Sequence, residues 1–285
     1  MMLRWAPLLL MMTLLMTKVA HAADNPKTPP KLTVEKSLAA HGVQWRLQTE
    51  DGVVYAWRPE DFNPAAAGIV IYLHGYYDSA DDSWGQYGLP EQFWQSRQNA
   101  FFIAPESPID NDEDVYWEDL DQLLSLVFRR IKQQRPSGPV VVIGHSGAYR
   151  NILCWLDNPS VEEVILLDGL YNNEKEFGKW IGDTRVRKRR LILVGVETFE
   201  NSQRFSNQFK FSVFRNNFPR DYTDFTRAEK EARLLNIKTA YDHMELVHTG
   251  EVIPLILRLS PLLHLPDKKP TPPLPQMAIG AKSKR

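Results

Sequence analysis

The sequence predicts an α/β protein with a mostly parallel central sheet and helices on both faces. Two observations carry that prediction: short, continuously apolar runs recur along the chain, and helix-like stretches separate them. Continuous runs suit strands covered on both faces, because a half-exposed strand alternates apolar and polar residues instead. A chain of 285 residues with 43% hydrophobic and 24% charged side chains can bury a substantial core, and a single domain accommodates that length.

Taken in order, Gly42 to Leu47 and Val53 to Trp57 read as strands flanking Thr49-Glu50-Asp51-Gly52. The Asp-Gly pair accepts the positive φ of a tight turn, so these strands form an antiparallel hairpin. From Gly68 the pattern changes. Ile69 to Leu73 is continuously apolar, and similar runs follow at Ala100 to Ala104, Val140 to Ile143, Val164 to Leu167 and Leu191 to Val196. Helix-like stretches occupy Leu120 to Gln134, Tyr149 to Leu156 and Glu174 to Ile181. Asn236 to Tyr241 reads as a last strand and Glu251 to Leu257 as a closing helix.

The two ends differ in composition from this middle. Arg4, an apolar run from Trp5 to Thr17 and the small-x-small triplet Ala20-His21-Ala22 read as a signal peptide over residues 1–22, directing export to the periplasm or medium. The run is about 13 residues, short of the roughly 20 that cross a bilayer, so no stable span remains after cleavage; an uncleaved tether is the alternative. Residues 23–34 are polar and proline-containing, as a linker would be, which leaves 35–265 as the folded domain. Residues 266–285 form a Pro/Lys-rich tail expected to be disordered.

Charge and cysteine content narrow the function classes. The net charge of -1 provides no basic excess for nucleic acid or anionic lipid, and the six-residue basic cluster at 185–190 reads as a solvated end before a buried strand. The single cysteine, Cys154, excludes an intrachain disulfide, and its apolar neighbours Ile152, Leu153, Trp155 and Leu156 predict a buried, inert thiol.

The most informative segment is Val140-Val141-Val142-Ile143-Gly144-His145-Ser146-Gly147-Ala148-Tyr149-Arg150, a buried strand passing through a small-x-Ser-x-small turn into a helix. Such a turn holds the serine in strained backbone geometry, and small residues two before and two after it let strand and helix approach closely. Ala148 stands where glycine is usual, a departure of one methyl group. A phosphate loop is excluded because no Gly-Lys-Ser/Thr follows the strand, and no dinucleotide fingerprint is present.

On this motif, and on Leu73-His74-Gly75-Tyr76-Tyr77-Asp78 after the preceding apolar run, the chain resembles the α/β-hydrolase family from about Gly42 to Leu263. The resemblance implies the α/β-hydrolase fold and a serine esterase or lipase-like activity, with Ser146 as nucleophile. It also implies that the backbone N–H of Gly147 and that of Tyr76 or Tyr77 form the oxyanion hole, where preorganised donors stabilise the charge of the tetrahedral intermediate. His74 is then a structural residue holding the loop.

The remaining partners follow the chain order serine, acid, histidine. His243, between the last strand and the closing helix, is the preferred base, with His248 in the same loop as the alternative; His145 is set aside as pointing away from the serine. Asp168, at the end of an apolar strand, is the preferred acid, with Glu197 after the next strand as the alternative. A helix N-cap is the competing role for Asp168.

No cofactor is called for, and no metal, since the histidines lack H-E-x-x-H or comparable ligand spacing. The aromatic stretch from Ser83 to Trp94 reads either as a pocket lining or as a helix's core face, and Asp110 to Asp114 as a solvated loop. The expected substrate is a small-molecule or envelope-derived carboxylic ester. An amidase or peptidase using the same residues, or an inactive binding module that keeps the fold, are the competing readings.

Overall fold

A computed structural model describes residues 32–267. The expected signal peptide, most of the linker and all but two residues of the expected tail lie outside the described residues. The strands are β1 (Thr33–Ala39), β2 (Gly42–Thr49), β3 (Gly52–Pro59), β4 (Gly68–Leu73), β5 (Ala100–Pro105), β6 (Val140–His145), β7 (Val161–Leu167), β8 (Arg190–Gly195), β9 (Ser212–Arg215) and β10 (Leu234–Lys238). They form one sheet in the order β1-β2-β3-β5-β4-β6-β7-β8-β10-β9. The first four in that order pair antiparallel, and every pairing from β5 to β9 is parallel.

The expected hairpin is β2 and β3, joined where Gly52 takes φ 92° and the Thr49 hydroxyl donates to the Gly52 carbonyl at 2.7 Å. The β1 strand begins inside the segment expected to be linker: Thr33 and Val34 pair with Gln48 and Leu47. The interior strands β4 to β8 match the apolar runs because both of their faces are covered.

The helices are α1 (Ala80–Gln86), α2 (Leu89–Ser96), α3 (Leu120–Ile131), α4 (Tyr149–Trp155), α5 (Glu174–Gly182), α6 (Phe199–Ser206), α7 (Arg227–Glu231), α8 (Glu245–His248) and α9 (Val252–Leu257). In α3, Leu120, Leu123, Leu124, Val127, Phe128 and Ile131 form one buried stripe at helical spacing. Asp119 caps its start by accepting N–H bonds from Asp121 and Gln122, and the helix stops at Ile131, three residues short of Gln134, where Lys132 turns into the left-handed region at φ 56°.

Two cores sandwich the sheet. Ile69, Ile71 and Leu73 of β4 point into one, with α3, α4, α5 and Phe205 of α6; Val70 and Tyr72 point into the other, with α1, α2, α8 and α9. Trp84 and Phe93 lie in this second core, so most of the aromatic stretch is a core face. Cys154 is exposed, contrary to the expectation from its apolar neighbours. Helical rotation turns Ile152 and Trp155 of α4 inward and carries Cys154 to the surface. No helix among the described residues is long and apolar enough to cross a membrane.

Candidate active site

Parallel strands place their carboxyl ends on one edge of the sheet, and the candidate residues gather there. At the end of β6 the chain turns through Ser146–Ala148 into α4, and Ser146 takes φ 52°, a conformation a side chain adopts only under external constraint. The turn is tight enough that a Cβ on Gly144 would sit 2.5 Å from the Ile152 Cδ1 and 3.2 Å from the Ala148 Cβ. With Gly144 bare, the methyl of Ala148 fits and is buried, so the departure from glycine is accommodated.

The loop after β4 packs against this elbow. A Cβ on Gly75 would lie 2.9 Å from the Ser146 Cβ, and one on Gly147 would lie 2.5 Å from the Tyr76 ring. His74 is buried: its Nδ1 donates to the Gly75 carbonyl at 2.8 Å, and its Nε2 accepts from the Ser107 N–H at 3.0 Å, 2.9 Å from the Glu106 Oε1. That is a loop-holding residue. The Tyr77 N–H donates to the Ile109 carbonyl at 2.8 Å and so has no free donor for a substrate oxygen, which leaves Tyr76 and Gly147 as the oxyanion candidates.

Asp168 ends β7 at φ 48° and is fully buried, so its carboxylate must be partnered. Its Oδ1 accepts the N–H of Val196 at 2.9 Å, and the N–H and hydroxyl of Thr198 at 2.8 Å each. Its Oδ2 accepts the Glu197 N–H at 3.2 Å and lies 2.6 Å from the His243 Nδ1. Asp168 thus holds the turn between β8 and α6, and caps no helix of its own. Burial alone raises its pKa, but the bonds from His243, Thr198 and Val196 outweigh it and hold the carboxyl well below the usual range.

His243 sits in the loop between β10 and α8, half-buried. Its pKa is raised by the hydrogen bond to Asp168, with burial opposing and the charges of Asp168, Glu197 and Asp242 adding to the rise. His145 does not point away from the site. Its Nε2 donates to the His243 carbonyl at 3.0 Å, with the two rings 4.5 Å apart, and it lines the cleft. Burial, then repulsion from His243, pushes its pKa down to about 4, so it remains neutral.

The cleft, about 360 Å³, is lined by Ser146, His145 and His243 together with Tyr76, Tyr77, Tyr87, Tyr171, Asp78, Glu197 and Met244. His248 is outside this lining: it ends α8, exposed, with its ring 4.2 Å from that of Tyr87. Glu197 supplies backbone to Asp168 while its side chain faces the cleft. Arg150, whose N–H groups donate to the carbonyls of Asp110 and Glu113, ties the acidic loop to α4.

Ligand atoms of Asp168, Glu197 and His243 lie within 4.8 Å of one another, the spacing a cation needs. Asp168, however, already accepts five hydrogen bonds, more than the roughly four lone-pair positions of a carboxylate. What this geometry shows is a carboxylate whose acceptor positions are taken by the turn after β8 and by the His243 imidazole. Thr198, Val196 and Tyr171 were not singled out by sequence, and His145 was weighed only to be set aside; of the first three only Thr198, a hydroxyl just past the end of an apolar run, carried any local signal.

No family model and no curated protein matches the sequence. Among solved structures, an S-formylglutathione hydrolase from Agrobacterium tumefaciens is similar over 79% of this chain and 98% of its own, at 12% identity and a TM-score of 0.50. The feruloyl esterase module from Clostridium thermocellum is similar over 79% of this chain and 87% of its own, at 11% identity and a TM-score of 0.50. Strand order, strained elbow and these likenesses agree: the chain has the α/β-hydrolase fold.

Proposed function

We propose that the protein is an exported serine hydrolase that cleaves a carboxylic ester through Ser146, His243 and Asp168, with residues 35–265 as its catalytic domain. The observation that carries this reading is the 2.6 Å contact between the His243 Nδ1 and Asp168 Oδ2, in the cleft that Ser146 also lines. With Nδ1 committed to the carboxylate, Nε2 is the nitrogen left to handle protons. The Ser146 oxygen attacks the ester carbonyl as His243 takes its proton; the N–H groups of Tyr76 and Gly147 receive the developing oxyanion. His243 then protonates the departing alcohol, leaving an acyl group on Ser146. Water, activated by the same ring, attacks that acyl group, and collapse returns the serine hydroxyl.

A panel of matched esters and amides tests the reading. Wild-type protein is expected to hydrolyse esters at least tenfold faster than amides, and Ser146→Ala, folded by circular dichroism, is expected to hydrolyse neither. Amides cleaved as fast as esters would turn the reading to an amidase. Unchanged turnover in Ser146→Ala would remove it. Export is supported by residues 1–22 alone, and cell fractionation of chains with and without that segment checks it.

A further inference from the structure

The cleft in front of Ser146 carries a charge bias that ester cleavage itself does not require. Of the ten side chains lining it, Asp78 and Glu197 are carboxylates, four are tyrosines, and none is lysine or arginine. The Asp78 carboxylate is fixed by the Ser79 N–H at 2.8 Å and the Ser83 hydroxyl at 2.7 Å. Arg150, the guanidinium behind Tyr76, donates to the carbonyls of Asp110 and Glu113 and is absent from the lining. Among the described residues no lysine or arginine forms an ion pair with Glu197, which lines the same cleft as Ser146 and whose carboxylate lies within 4.8 Å of the His243 imidazole.

Such a lining discriminates by charge. Carboxylates lining a cleft bias its potential negative, and a lining tyrosine that turns its ring face to a bound cation adds the attraction of its quadrupole. An anionic substrate is repelled by both, a neutral one is indifferent, and an organic cation is attracted by both. Asp168 adds no free charge toward substrate, because its oxygens are already filled by His243 and the turn after β8.

We propose that the cleft selects esters bearing an organic cation, a protonated or quaternary amine, held between the Glu197 carboxylate and the tyrosine faces while Ser146 attacks. This rests on the ester-hydrolase reading above. Contacts of this kind correspond to about a tenfold preference when partly desolvated.

The test uses three fluorophosphonates of matched shape: one with a trimethylammonioethyl group, its neutral isostere in which carbon replaces nitrogen, and one with a carboxylate at the same place. Phosphonylation rate constants are read by intact mass on the mature chain. The expected order is cationic, neutral, anionic, with about tenfold between the first two. The ratio is expected to shrink in high salt and to approach one in Glu197→Gln, a near-isosteric change. Equal rates for the three probes, or a ratio unchanged in Glu197→Gln, would overturn the inference while leaving the nucleophile intact. Failure of all three to label would instead remove the hydrolase reading, and the inference with it.

Discussion

At the scale of single residues, the proposed reaction needs the two nitrogens of His243 to have separate duties. Asp168 holds the Nδ1 side at 2.6 Å and raises the pKa of His243, so the acid limb of the kcat/KM profile reports that raised value. A base works only when neutral, so activity falls as pH drops through it. Asp168→Asn removes the charge and donates where it should accept. It is expected to lower kcat by a thousandfold or more, on the order seen when a triad acid is neutralised, and to move the remaining acid limb to lower pH. His248→Ala is expected to leave kcat/KM near wild type, because that ring is exposed and outside the lining. Steady-state pH profiles of the two variants check both outcomes. Ser146 was legible because its strain is local, with strand, turn and helix adjacent in sequence. The donors on Asp168 were not, since Val196 and Thr198 reach it only through the pairing of β7 with β8.

At the scale of elements, β7 and β8 carry a charged pair in their packed interior. Glu163 is fully buried opposite Arg190, 3.6 Å from its guanidinium, with no hydrogen bond to either carboxylate oxygen. Arg190 donates instead to the carbonyls of Leu259 and Glu229. Burial pushes the Glu163 carboxyl up from 4.5 to about 7, with Arg190 pulling the other way. The folded state therefore holds a proton that the unfolded chain has released. That contribution to stability is full below 4.5 and is lost as pH rises through about 7. Glu163→Gln, which keeps the shape and removes the titration, is expected to flatten the fall in denaturation free energy across that window, as urea titrations at several pH values will show. A buried stripe such as that of α3 behaves differently: Leu124→Ala is expected to cost about 2–5 kcal/mol at any pH. The interior strands were legible from their apolar runs. The edges were not, because nearly every residue of β1 is exposed and the four residues of β9 are only partly covered, so neither leaves a hydrophobic signature.

At the scale of the whole molecule, one sheet edge does the assembling. Because β4, β6, β7, β8 and β10 run parallel, the loops carrying Tyr76, Ser146, Asp168, Thr198 and His243 emerge together although 75 residues separate Asp168 from His243 in the chain. Loop placement could rank His243 above His248, and a position at the end of an apolar strand could rank Asp168 above Glu197; the sequence could do no more. It could not exclude the Tyr77 N–H, whose acceptor, the Ile109 carbonyl, belongs to a loop from elsewhere on the same edge. In the proposed reaction this edge makes one serine hydroxyl, that of Ser146, nucleophilic. That nucleophilicity is tested most directly by treating the folded protein with a neutral fluorophosphonate and mapping the adduct by peptide mass spectrometry. One adduct per chain is expected, on Ser146, formed much more slowly in His243→Ala. An adduct on another residue, or labelling of Ser146 at the same rate without His243, would contradict the proposed reaction.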